Sequence, residues 1–286
     1  MNATQLKTVD MHGIGAILVD TGRLNFESAA KILAEQKKGN LRFGEAGIKL
    51  GLLDQSDIDF ALARQFDYQY LNRNDQSIAE EVIAAFNPFS PIVEQLRAVR
   101  TQLMLRWFDA DISHKSLAIV SPSTGEGRSF IAANLAVVFS QLGERTLLID
   151  ADLRHPRQHQ LFKVNNSAGL SAILSGRAQP DAAFKINSLR GLTVLPAGTC
   201  PPNPQELLSR DTFTSLLIQY SESFDVIIID TPASDKSADA QTISARAGAS
   251  LLVASKNFTL VTALKKLAVN LEHTGVSVVG SLLNEI

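Results

Sequence analysis

Apolar residues recur along this chain in two rhythms. Before residue 70 they keep helical spacing, whereas from Ser116 onward short unbroken apolar runs alternate with helix-spaced segments. Unbroken runs of a few residues suit strands covered on both faces of a parallel sheet, with helices as the crossovers. They predict strands at 117–120, 146–149, 192–195, 226–229, 250–254 and 276–283, and a helix from 130 to 142. The expected architecture is an α/β domain with a mostly parallel sheet, preceded by a small helical-repeat domain.

The helical part repeats itself at an offset of 29 residues. Gly15 recurs as Gly44, Gly22 as Gly51, Leu24 as Leu53, Leu33 as Leu62 and Gln36 as Gln65. Each unit predicts a helix, over 26–36 and 55–65, with Asn25 and Asp54 as N-caps because their side-chain oxygens can accept from first-turn N–H groups. Residues 1–75 are expected to form this small domain, and 76–91, with polar and proline punctuation, a linker. Residues 92–286 then form the α/β domain, opening with a helix over 92–107. Ser90 and Pro91 mark its start, and Ile92, Leu96, Val99 and Leu103 make its apolar stripe. Beside the stripe, Glu94, Arg97 and Arg100 lie three apart on a single flank.

Composition narrows the field. The 286 residues are 45% hydrophobic and 20% charged, with a net charge of −2. That balance makes no case for nucleic acid or an anionic membrane as partner. The single cysteine, Cys200, excludes an intramolecular disulfide or a multi-cysteine metal site and suits a reducing cytosol. The N-terminus has no apolar core of a secretion signal, and no run approaches about 18 apolar residues. Any membrane association is expected to come through a partner.

The chemistry concentrates at strand ends. Between the first strand and the helix that follows lies Ser121-Pro-Ser-Thr-Gly-Glu-Gly-Arg-Ser129. A glycine-bearing turn entering a helix N-terminus aims backbone N–H groups and a helix dipole at one anion. Aligned with the pattern G-x-x-x-x-G-K-[ST], the stretch has Pro122 at the first glycine, Arg128 at the lysine and Ser129 at the Mg²⁺-binding hydroxyl. Thr124, Gly125, Glu126, Gly127, Arg128, Ser129 and Phe130 are the nucleotide-binding candidates. Two further strands run into Asp150-Ala-Asp152 and into Asp230. With Ser129, Asp150 and Asp230 form a candidate Mg²⁺ set, and Asp152 can orient an attacking hydroxyl. Asp230 reads equally as a helix cap. His155 and His159 have i,i+4 spacing but no third ligand nearby, so solvation is their expected state. The fold class that follows is α/β, a P-loop NTPase domain.

The order GEGRS, LLIDADLRHPRQH, FDVIIIDTP resembles the bacterial tyrosine kinases of polysaccharide export, in their EpsG-type chain-length-determinant branch. The resemblance covers residues 90–286, including Pro202-Asn-Pro-Gln-Glu206 and Gly280-Ser-Leu-Leu-Asn284. It implies a cytoplasmic protein-tyrosine kinase using ATP and Mg²⁺, with Arg128, Asp150, Asp152 and Asp230 as catalytic residues and Asn284 beside adenine. Asp239 falls where the family has an aspartate after the Walker B loop. Glu94, Arg97 and Arg100 match the E-x-x-R-x-x-R motif through which subunits assemble into a ring. The implied partner is an inner-membrane polysaccharide co-polymerase, which would hold the protein at the membrane. The N-terminal repeat resembles the N-terminal domain of type II secretion and type IV pilus assembly ATPases, some of which bind cyclic di-GMP through Arg-Leu-Gly motifs. The second unit keeps Arg42-Phe43-Gly44, while the first has Gly13-Ile14-Gly15.

Two departures leave alternatives open. Arginine replaces the lysine of the loop. The family's C-terminal tyrosine cluster has no counterpart before Ile286, and the only tyrosines are Tyr68, Tyr70 and Tyr220. The first two are expected to be structural, which leaves the phosphoacceptor open, another protein included. The sequence therefore admits a kinase regulating exopolysaccharide chain length, an ATP-binding assembly partner without phosphotransfer, or, ranked last, a ParA/MinD-like ATPase.

Overall fold

The computed structural model describes residues 13–66, 69–71 and 75–285, so Tyr68 lies outside the described residues. The chain divides into two compact units, one ending at Gln69 and the other beginning at Tyr70.

The first unit is two helix pairs. Helices α1 (Ile14–Asp20) and α2 (Phe26–Gly39) are followed by α3 (Phe43–Lys49) and α4 (Gln55–Gln65). Both repeats open and turn at equivalent positions. Asn25 Oδ1 accepts from Ser28 N at 2.8 Å and Asp54 Oδ1 from Asp57 N at 3.0 Å, so both caps form as expected. Gly22 and Gly51 take φ of 72° and 64°, a left-handed conformation that suits glycine. The buried core, Leu18, Leu24, Ile32, Ala46, Leu53, Ile58 and Ala61, uses matching positions, Leu24 with Leu53 and Ile32 with Ala61.

The second unit begins earlier than the linker expectation allows. Residues 76–91 are packed, not extended between domains: Ile78, Val82, Ala84 and Ala85 are fully buried, the last two in the short helix α5 (Ile83–Phe86). The apolar patch at 82–86 is one face of this segment, and its backbone is satisfied from the neighbouring helix. Ala84 N donates to Asn134 Oδ1 at 2.9 Å, and Gln141 Nε2 donates to Ala84 O at 2.9 Å. Helix α6 (Pro91–Leu103) follows and continues through a π-turn, Met104–Phe108.

A seven-stranded sheet forms the centre. Its strands are β1 (Ser116–Val120), β2 (Thr146–Asp150), β3 (Phe184–Lys185), β4 (Leu192–Leu195), β5 (Val226–Asp230), β6 (Ala249–Ser255) and β7 (Ser277–Asn284), in the order β3-β4-β2-β5-β1-β6-β7. All neighbours are parallel except β3 with β4. The six expected strands are present within a residue or two of their expected ends. β3 was not expected, since two residues carry no readable period. Helix α7 (Arg128–Leu142) is buried on nearly every side between the sheet and the α5–α6 layer. The opposite face is covered by α9 (Leu170–Leu174), α10 (Pro204–Leu208), α11 (Asp211–Ser223), α12 (Asp239–Ala247) and α13 (Val261–His273), after the single turn of α8 (Gln158–Leu161). Among the described residues, no helix is long and apolar enough to cross a membrane. The parallel order brings the C-terminal ends of β1, β2 and β5 side by side, and ligands of such sheets bind there.

Candidate active site

The loop after β1 has the geometry of a phosphate cradle. Gly125 and Gly127 take φ of 85° and 93°, and α7 starts directly after Gly127. A side chain at 127 would also collide with the Asn284 amide, which donates from Nδ2 to Glu126 O at 3.2 Å. Thus the last residue of β7 closes one wall of the loop. Glu126, expected to face the nucleotide, is completely buried and turned inward. Its Oε2 accepts from Ser123 N at 2.7 Å and its Oε1 from the Thr259 hydroxyl. It braces the loop. Thr124 and Gly125 are exposed, and Phe130 is half-buried.

Arg128 is the most unusual member. The residue is 8% exposed, and its guanidinium folds back over its own loop. Nε donates to Thr231 O at 2.9 Å, and Nη1 donates to Ser123 O at 2.7 Å and to the Ser121 hydroxyl. Nη2 makes no hydrogen bond among the described residues, which leaves one edge of the fork for an anion.

Across the loop stand the carboxylates. Asp150 and Asp230 are register partners at the ends of β2 and β5, and both are fully buried. Asp150 Oδ2 accepts from Arg157 N at 2.9 Å and Gln158 N at 2.8 Å, and Oδ1 from Asp152 N at 3.3 Å. It therefore ties down the turn after β2. Asp230 Oδ2 accepts from Gln158 Nε2 at 2.7 Å, while Oδ1 is buried without a hydrogen bond. Burial, then the charge of Asp230, pushes Asp150 well above the usual carboxylate range. Burial likewise raises Asp230 to about 6, against the opposing pull of Gln158, the Ser129 hydroxyl and the Arg128 cation. Asp152 Oδ1 accepts from His155 N at 2.9 Å and Arg154 N at 3.2 Å, and Oδ2 makes no hydrogen bond among the described residues.

This set fits Mg²⁺. Among the described residues, no three His, Cys, Asp or Glu side chains group to hold a metal alone. Mg²⁺ needs no such cage, because it takes one or two carboxylates, phosphate oxygens and water. The orphaned Oδ1 of Asp230, beside the Ser129 hydroxyl, is the donor such an ion requires. Asp150 spends its Oδ2 on holding the turn after β2.

Sequence reasoning missed Gln158, which is fully buried and bridges Asp230 to Ser129 O, at 3.1 Å. Its one available signal was position, just inside a helix start and eight residues after Asp150. Asp239 is also buried and receives Arg154 Nε at 2.8 Å, so this pair pins the turn after β2 to α12. His155 is exposed. His159 is half-buried, its pKa lowered by burial. The helix charges do not share one fate. Glu94 and Arg97 pair at the surface, but Arg100 turns inward, Nη1 donating to Val138 O at 2.7 Å.

Comparisons with known proteins give the family and the fold. The family described as cellulose biosynthesis protein BcsQ matches residues 115–276, more than half of the chain. The tyrosine-protein kinase YwqD of Bacillus subtilis is 40% identical over 178 residues, covering 62% of this chain and 74% of the relative. A putative tyrosine-protein kinase in the cps region of Klebsiella pneumoniae is 34% identical over 216 residues, 76% of this chain. The chain spans only 30% of that longer relative. The kinase domain of Escherichia coli tyrosine kinase ETK superposes with a TM-score of 0.68 at 31% identity, covering 77% of this chain and 86% of that domain.

Proposed function

The chain belongs to the bacterial tyrosine-protein kinase family, and from that premise we propose that it transfers the γ-phosphoryl group of ATP to protein tyrosine. One observation carries the proposal: a phosphate loop and three aspartates converge at the ends of β1, β2 and β5, with Asp230 keeping a buried, unused oxygen. The backbone of Gly125 and Gly127 and the free Nη2 of Arg128 hold the phosphates. Asp152 Oδ2 accepts the tyrosine proton as the new P–O bond forms and the bond to the ADP oxygen breaks. Ser129 and Asp230, with Asp150 behind, would hold Mg²⁺, which would supply charge neutralisation during transfer.

Tyr220 is 5% exposed, and its hydroxyl donates to Pro180 O at 2.7 Å, so it is no substrate in the folded protein. The kinase acts at the cytoplasmic face of the inner membrane with a polysaccharide co-polymerase, assembles into rings through Glu94, Arg97 and Arg100, and regulates exopolysaccharide chain length. The match to a kinase named for a cps region supports this setting. The first unit binds cyclic di-GMP through the exposed Arg42. Calorimetric titration of the full chain with cyclic di-GMP, repeated on Arg42→Ala, tests that part: no heat from the parent chain removes it.

A second reading has its own observation. Arg128 spends most of its donors on its own loop and on Thr231. A protein so built binds ATP and assembles without transferring phosphate. Incubation with MgATP, alone and with the cytoplasmic segments of the co-polymerase, followed by mass spectrometry for phosphotyrosine, separates the two. The kinase reading expects phosphotyrosine on at least one component. Demonstrable ATP binding with none anywhere selects the second.

A further inference from the structure

We propose that Gln158 is a positioning residue that couples Mg²⁺ to nucleotide by fixing the Asp230 carboxylate against the start of α7. The proposal rests on the nucleotide-site reading above and adds to it a residue outside the phosphate loop and its aspartates.

A completely buried glutamine is uncommon and needs partners for both ends of its amide. Gln158 has them for only one. Nε2 donates twice, to Asp230 Oδ2 at 2.7 Å and to Ser129 O at 3.1 Å. Its backbone N donates to Asp150 Oδ2 at 2.8 Å. A single residue thus touches the end of β2, the end of β5 and the first turn of α7. Oε1, by contrast, is buried without a hydrogen bond, as is Oδ1 of Asp230. An amide present only to pack the interior would satisfy its acceptor. Asp230 Oδ1 is buried without a hydrogen bond on a carboxylate that the Ser129 hydroxyl also faces, and Gln158 Oε1 is a second buried acceptor without a partner, so a cation with its bound water would relieve the cost of burying them.

The two donor bonds do different work. The bond to Asp230 Oδ2 fixes which oxygen of that carboxylate faces the site. The bond to Ser129 O fixes the backbone that carries the second metal-binding hydroxyl. Hydrogen bonds of this kind behind a metal ligand typically change metal affinity by about 10–100-fold when removed.

The test is calorimetric titration of ADP into the full chain, with excess Mg²⁺ and with EDTA. The parent chain should bind ADP more tightly with Mg²⁺. Gln158→Met keeps length and volume but has no donor. It should bind ADP in EDTA within about twofold of the parent, while the Mg²⁺ enhancement falls about 10–100-fold. An unchanged enhancement, or an equal loss in both conditions, overturns the proposal. A parent chain that binds no ADP in either condition overturns the nucleotide-site reading itself. Should circular dichroism show Gln158→Met unfolded, Gln158→Asn keeps the amide one methylene too short to span both acceptors. The same loss of enhancement is then expected, and full enhancement overturns the proposal.

Discussion

Arg128 is fastened to Thr231, Nε to carbonyl oxygen 2.9 Å, across 103 residues of sequence. The bond joins the phosphate loop to the turn after β5, so the residue that departs from the usual loop pattern also links two walls of the site. Arg128→Ala should therefore do two things. Removing a charged hydrogen bond to phosphate, worth about 1.5–3 kcal/mol, weakens ATP binding roughly ten- to a hundredfold. Loss of the bonds to Ser123 O and Thr231 O lowers the melting temperature as well. Arg128→Lys should hold ATP affinity and raise the transfer rate, because a compact ammonium reaches phosphate without the fork that arginine commits to the loop. Unchanged ATP affinity in Arg128→Ala, measured by calorimetry, would show that Nη2 serves no phosphate.

Asp230 sets a conflict between stability and function. Its pKa is raised to about 6 in the folded protein, against about 3.9 unfolded. The folded state thus binds the extra proton between these values, and stability falls as pH rises from about 4 through about 6. Asp230→Asn removes that decline. It should be more stable than the parent at pH 8, by on the order of 1–3 kcal/mol, and should lose most of this advantage at pH 4. Its Mg²⁺-dependent ADP binding should disappear. Urea denaturation at the two pH values measures the first part, and an equal difference at both would contradict it.

How far the sequence revealed this depends on the kind of signal. The strands β1, β2, β4, β5, β6 and β7 were legible because a strand buried on both faces leaves an unbroken apolar run. The caps Asn25 and Asp54 were legible because an N-cap is a residue type at a fixed offset. The aspartates were legible because strand ends place them. The inward turn of the Glu126 carboxylate was not legible, because nothing local shows that Thr259 and Ser123 draw it in. Gln158 and the Arg128–Thr231 bond stayed hidden for the same reason, since their partners come from strands distant in sequence. The packed segment at 76–86 carried a visible apolar patch, but its surrounding polar and proline residues read as punctuation.

That segment gives a prediction of its own. Asn134 is completely buried, accepts from Ala84 N at 2.9 Å, and donates to Phe130 O at 2.9 Å and to Glu81 O at 3.2 Å. Asn134→Ala leaves the Ala84 donor buried and unpaired, at a cost of about 1–3 kcal/mol. Limited proteolysis should then cut within residues 76–86 of the variant well before it cuts the parent. Equal resistance in both would mean that the segment is held by its apolar contacts alone.

The two arginines of α6 should separate in experiment, although the motif treats them alike. Arg97 pairs with Glu94, whose side chain is 60% exposed, so the pair contributes little to monomer stability. Arg100 instead donates to Val138 O on α7, a partly buried contact. Arg97→Ala should leave the melting temperature nearly unchanged and give a smaller species in light scattering. Arg100→Ala should also reduce the assembly, and in addition lower stability by about 1–2 kcal/mol, because it removes a charged donor from a partly buried carbonyl. Measuring both variants at a concentration where each is monomeric isolates the stability difference. If Arg97→Ala leaves the assembled mass unaltered, the pair is a solvated surface contact and ring formation uses another face. If the two variants melt together, the Arg100–Val138 bond adds nothing that water does not replace.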